Sequence, residues 1–161
     1  MFVTQYQFDQ LKQRYQDYKE EGFPNLDKGM KNIIESLNEI PGLVTVFCCE
    51  GHYPTSPETD RWHDSAQLLV ATKDLEAFEK LYSIYENTSM RLKKRVQLTL
   101  SHRHLLWPFY TDAELWYPLN ELLYNYWGVG EAAFEENKQT YLSTLVDAIQ
   151  SVKESQNVCN S

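Results

Sequence analysis

The chain has 161 residues, 42% of them hydrophobic and 24% charged, enough for one sizeable core and too few for two comfortable domains. Six glycines and six prolines exclude collagen-like and low-complexity architectures, and no apolar run approaches the roughly 18–20 residues that cross a bilayer. Fifteen basic residues against 23 acidic give a formal charge of −8. That excess of carboxylates argues against non-specific nucleic-acid binding, which needs Lys and Arg to displace phosphate counterions.

The expected fold is a single compact α+β domain over residues 1–154, with a three- or four-stranded sheet, ferredoxin-like or related, and flanking helices. Phe8, Leu11, Tyr15 and Tyr18 recur at helical spacing, and Glu21–Asn25 breaks that helix. A second stripe, Met30, Ile33, Ile34 and Leu37, stops at Pro41-Gly42. Leu43 to Cys49 is nearly all apolar and rich in β-branched residues, the pattern of a strand covered on both faces, so it is expected centrally in the sheet. Gly51 to Ser65 reads as a long loop, and loops of that length are usually functional or disordered.

Ala66 to Ala71 reads as a second strand. Asp74 is placed to cap a third helix with Leu75, Phe78, Leu81, Tyr82 and Tyr85 on its apolar side. In a third strand Val96, Leu98 and Leu100 alternate with Arg95, Gln97, Thr99 and Ser101. Arg91, Lys93, Lys94 and Arg95 form a basic run of the kind that keeps a sheet edge from pairing with another. Residues 114–127 fit a helical stripe or an aromatic strand; the strand is preferred because the order then reads strand-strand-helix twice. A last helix carries Phe134, Tyr141, Leu142, Leu145, Ile149 and Val152. Residues 155–161 read as a polar, frayed tail.

Three cysteines, two of them adjacent, make no disulfide framework. The opening residues lack the basic and apolar regions of a secretory signal, so a reducing cytoplasm is the expected compartment. No P-loop, Gly-x-Gly-x-x-Gly, Gly-x-Ser-x-Gly or His-Glu-x-x-His pattern occurs, and no catalytic set is assigned. If the first and third strands were parallel neighbours, Cys49, His52, His102 and His104 would converge where open sheets commonly bind ligands. Thiolate and imidazole suit zinc, so these four are the candidate metal ligands and zinc the one candidate cofactor. A thiol–imidazole pair of Cys49 with His52 or His102 is the hydrolytic version.

Glu50, Gly51 and His52 would lie at the mouth of the sheet, where Gly51 permits close approach of a ligand to the backbone. Trp62, Trp116, Tyr117 and Trp127 belong to an aromatic population rich in the residue types that dominate interface hot spots.

Asn38, Gly42, Thr45, Phe47, Cys48, Cys49, Glu50, Gly51 and His52 together resemble a segment of small bacteriophage proteins. In those, a helix and short strand close in Ser/Cys-Cys-Glu-Gly-His. The same arrangement is similar to the wybutosine-tRNA methyltransferase family at Cys49 and Gly51, and departs from its Ser-Cys-Ser-Gly-Arg at Cys48, Glu50 and His52. The phage resemblance implies a non-enzymatic binding protein that inhibits a host protein or defence system. The alternatives are a small zinc- or thiol-dependent hydrolase and a module that sequesters a small nucleotide. No membrane partner is expected, and a structural or assembly role would show as a homo-oligomer.

Overall fold

A computed structural model describes residues 2–53, 65–92, 97–106, 116–126 and 130–159. Helix α1 spans Gln5–Glu20 and is opened by a capping box, in which Thr4 Oγ1 accepts from Gln7 N–H and Gln7 Oε1 accepts from Thr4 N–H. A short 3₁₀ turn, Lys28–Met30, leads into α2, Lys31–Asn38. Strands β1 (Leu43–Cys49) and β2 (Ser65–Thr72) follow, then α3 (Leu75–Arg91), β3 (Gln97–Leu106), β4 (Trp116–Asn125) and α4 (Glu131–Cys159). The strand-strand-helix order does occur twice. No helix among the described residues is long and apolar enough to cross a membrane.

The four strands form one sheet in the order β1-β2-β4-β3, antiparallel throughout. Each strand-strand-helix unit contributes one edge strand and one central strand, and β2 and β4 meet in the middle with Leu68 opposite Leu122. Cross-strand partners in an antiparallel pair share a face. Ala66, Leu68, Leu122, Tyr124 and Leu98 therefore project together, and all five are buried. Tyr124 stacks on Tyr141 of α4 with ring centroids 4.0 Å apart. Tyr117, seven residues from Tyr124, points to the opposite face, where its hydroxyl donates to Gln10 of α1.

Three expectations are corrected. β1 is an edge strand, not a central one. Its outer edge is closed by side chains instead of by a neighbour: Asn38 Oδ1 accepts from Thr45 N–H at 3.2 Å and Asp27 Oδ2 from Glu50 N–H at 3.0 Å. Nor is the strand covered on both faces as its apolar run suggests: only Leu43 and Val44 are buried, and Phe47 is exposed. α3 is rotated from its expected stripe. Ala77, Leu81, Ile84 and Thr88 are buried while Leu75 and Tyr82 are exposed, and Phe78, Tyr82 and Tyr85 form a ladder of ring contacts instead. Finally, α4 continues to Cys159, so residues 155–159 are helical.

Asp74 caps α3 as expected, its Oδ1 accepting from Ala77 N–H at 2.9 Å. Residues 116–125 are the preferred strand. Pro118 is tolerated because β4 pairs with β2 only from Asn120 onward, so the missing N–H falls beyond that ladder. Lys93 to Arg95 lie outside the described residues.

Candidate metal centre

β1 ends at Cys49 and the chain turns sharply. Gly51 adopts φ +84°, and a Cβ there would sit 2.6 Å from the Tyr126 ring and 2.9 Å from the Ser65 carbonyl oxygen. Backbone and space both require glycine. The Tyr126 hydroxyl donates to the Glu50 carbonyl at 2.6 Å and pins the turn. Tyr126 and Tyr53 both pack on Phe134 of α4, with centroids 4.7 and 5.6 Å from its ring.

Asp27 stands at the cap position of the 3₁₀ turn, where its carbonyl accepts from Met30 N–H at 3.0 Å but its side chain makes no cap hydrogen bond. Besides receiving the Glu50 N–H, its carboxylate places Oδ1 3.2 Å from His52 Nε2 and stands beside the Cys49 thiol. One ligand-type atom from each of Asp27, Cys49 and His52 lies within 4.8 Å of the others. Asp27 and Cys49 are half-buried and His52 is exposed.

Without an ion, this environment keeps both thiols protonated. Burial pushes Cys48 up to about 12, and the charges of Asp27 and Glu50 add to it. Burial also raises Cys49; the Gly51 backbone hydrogen bond opposes that shift, and Asp27 and Glu50 reinforce it. A divalent cation reverses this logic, because it is the largest local charge and takes the deprotonated ligand.

Behind the cluster, Glu50 Oε2 accepts from Gly29 N–H at 2.9 Å and Oε1 lies 3.4 Å from Lys138 Nζ. Lys138 is also 3.3 Å from Glu135.

The four expected metal ligands do not converge. Cys49 and His52 lie where β1 ends, at one edge of the sheet. His102 and His104 are on β3, at the other edge and toward its opposite end. The antiparallel arrangement sets these two strand ends at diagonal corners, whereas parallel neighbours would bring them together. His102 is exposed and lies against Phe78, with ring centroids 5.7 Å apart; the side chain of His104 is outside the described residues.

Of the aromatic candidates, Tyr117 is buried on the α1 side. Trp116 opens β4 with its side chain outside the described residues, and Trp62 and Trp127 lie outside them altogether. Sequence reasoning missed Asp27, which reads as an ordinary helix cap, and Lys138. The second left a signal, since it falls four residues after Phe134 and three before Tyr141, on the apolar stripe of α4.

No protein-family model and no curated protein matches the chain. Among solved structures it is similar to the PH1069 protein from Pyrococcus horikoshii, with 12% identity over 89% of this chain and 94% of that one and a TM-score of 0.41. A likeness of that degree assigns nothing.

Proposed function

We propose that the protein is a non-enzymatic binding protein whose site is organised by a zinc-class divalent ion on Asp27, Cys49 and His52. The observation that carries this reading is the convergence of one carboxylate, one thiol and one imidazole, from segments 22 residues apart, within 4.8 Å. Around a tetrahedral zinc the ligand atoms stand about 3.3–3.7 Å apart, so small side-chain movements would complete the set. Binding is favoured over turnover by the state of Glu50. It is the carboxylate a hydrolase would use as base, and it is held by Gly29 and Lys138.

The phage resemblance falls on this same turn, from Cys48 to His52, and supports a cytoplasmic binder directed at a host protein or defence system. A metal-dependent hydrolase is the second reading, favoured by the fourth coordination position that three protein ligands leave.

Elemental analysis of protein purified without a histidine tag or chelator tests the proposal, followed by cobalt(II) titration read by thiolate-to-metal absorption. About one equivalent of metal is expected, lost in Cys49→Ser and in Asp27→Asn and retained in His102→Ala. Failure to take up any divalent ion, or full retention by the Cys49→Ser, Asp27→Asn double variant, overturns it. Zinc-dependent cleavage of a chromogenic ester or phosphodiester would replace the binding reading with the hydrolytic one.

A further inference from the structure

The strand-strand-helix unit occurs twice, so β1 and β3 hold equivalent places at the two edges of the sheet. The two edges are finished differently. On β1 the register shifts between Thr45 and Phe47, and the side chains of Asn38 and Asp27 take up N–H groups along and just beyond its outer side. Both devices keep an edge from pairing with another strand. β3 has neither. Its ten residues, Gln97–Leu106, run opposite β4 without a register shift and include no proline. Among the described residues its only strand partner is β4, and no side chain bonds to the backbone of its outer edge. The basic run that precedes it ends at Arg95, before the strand begins. Arg103, its one permanently charged residue, is already paired inward, with Nε 3.0 Å from Glu121 Oε1. Every second residue of such an edge turns its N–H and C=O outward, a template for one more strand.

A helix flank runs beside this edge. Leu98, Leu100 and His102 stand opposite Tyr124, Leu122 and Asn120, and so share the face that α4 covers. Phe78 of α3 meets His102 on that face, with ring centroids 5.7 Å apart. α4 packs against both α2 and α3, and α3 lies against β3, so α3 is the outermost of these helices on the β3 side. Leu75, Phe78, Tyr82 and Tyr85 follow one another at helical spacing along it, yet Leu75 is 58% and Tyr82 42% exposed. A peptide strand added to β3 would satisfy the backbone and leave that stripe in water. A second copy of the chain covers both. Antiparallel strands related by a two-fold axis perpendicular to the sheet keep the same face up, so the partner's β3 brings its own α3 alongside. The contact is then the same patch on both copies, as a two-fold dimer requires. The stripe also adds apolar area to the ladder, toward the roughly 800 Å² per partner of a stable interface. Near the middle of β3 the exposed residues are Thr99, Ser101 and His102. No acidic charges therefore meet at the axis, although each chain carries −8.

We propose that the protein is a homodimer in which β3 pairs antiparallel with β3 of a second copy, while the two α3 stripes close over the junction. The metal cluster lies at the other edge of the sheet, and this interface stands or falls independently of it.

Sedimentation velocity of the full chain from about 1 to 200 μM tests this, with hydrogen exchange of the β3 amides read by NMR. A species of twice the chain mass is expected, with a Kd in the micromolar range or tighter. The β3 amides that face away from β4 should be protected in it. Ser101→Lys sets like charges close to the axis, and Tyr82→Glu sets a charge in the helix seam. Each should weaken the dimer at least about tenfold and expose those amides. Val146→Glu, at an exposed apolar position on α4, should leave the dimer intact. All three positions are on the surface, and circular dichroism confirms that each variant keeps its fold; the two disruptive variants lie on different elements, so either one alone decides. A chain that stays monomeric at about 200 μM, well above the range of interfaces of this size, overturns the proposal, even if it captures an extended peptide instead. So does a dimer indifferent to Ser101→Lys and Tyr82→Glu, or one whose outward β3 amides exchange freely.

Discussion

Glu50 and Lys138, 88 positions apart in the chain, meet at 3.4 Å between Oε1 and Nζ, and their side chains are only 15% and 8% exposed. The contact ties α4 to the turn that follows β1, so the last helix bears directly on the candidate site. A buried ion pair gains little over a well-packed apolar pair, but removal of one member strands the other charge. Lys138→Met is therefore expected to cost about 3 kcal/mol. The Glu50→Gln, Lys138→Met double variant should recover about half of that, since the glutamine amide still offers Gly29 an acceptor. Urea denaturation of the three variants checks it; additive losses would mean that the two side chains act independently.

Gly51 is the second test of that turn. Alanine there meets both the left-handed backbone penalty, about 1–2 kcal/mol, and a collision with the Tyr126 ring and Ser65 carbonyl. Gly130, at φ +95°, has no atom of the described residues other than its chain neighbours within 4 Å of the point a Cβ would occupy and isolates the first of these costs. Gly51→Ala should lose at least about 2 kcal/mol more than Gly130→Ala. Equal losses by thermal or chemical denaturation would show that the turn has room the geometry denies.

Local chemistry is legible in the sequence, and long-range pairing is not. The cap at Asp74, the alternation of Leu98 with Thr99 and the stripe of α4 follow from period and residue type alone. The strand at 116–125 is recoverable because its aromatics agree with a repeated order of elements. The place of β1 is not recoverable, because an apolar run reads the same whether a strand or the side chains of Asn38 and Asp27 close its edge. That single misplacement disperses the expected metal set. Cys49 and His52 stay together because they are three residues apart. His102 joins them only under a parallel topology, and the residue that takes its place, Asp27, carries no mark distinguishing it from a helix cap.

The thiols should differ sharply in reactivity. Cys159 is exposed on α4, whereas Cys48 is held up to about 12, first by burial and then by neighbouring carboxylates. Only the thiolate is alkylated, so at pH 8 Cys48 should react with iodoacetamide at least about a hundredfold more slowly than an exposed cysteine. Peptide mapping of a time course reads each site. Modification of Cys48 at the rate of Cys159 would mean that β1 opens readily at its edge.

The stacked tyrosines predict an alkaline limit to stability. Burial raises Tyr124 from 10.0 to about 12, and burial, with a further contribution from neighbouring tyrosine charge, raises Tyr126 and Tyr141 as well. A group raised on folding contributes stability that is intact below its unfolded value and is lost as pH climbs toward its folded one. Stability should therefore hold up to about pH 10 and then fall between 10 and 12. Each buried hydroxyl adds up to about 1.4 kcal/mol per pH unit to the slope. Tyr141→Phe, which removes the hydroxyl of a ring stacked 4.0 Å from Tyr124, should make that decline shallower. Denaturation midpoints at pH 9 and 11, with tyrosinate absorbance recorded in parallel, test the claim. If all 11 tyrosines ionised near pH 10 while the protein stayed folded, the hydroxyls beneath α4 would have to be open to water.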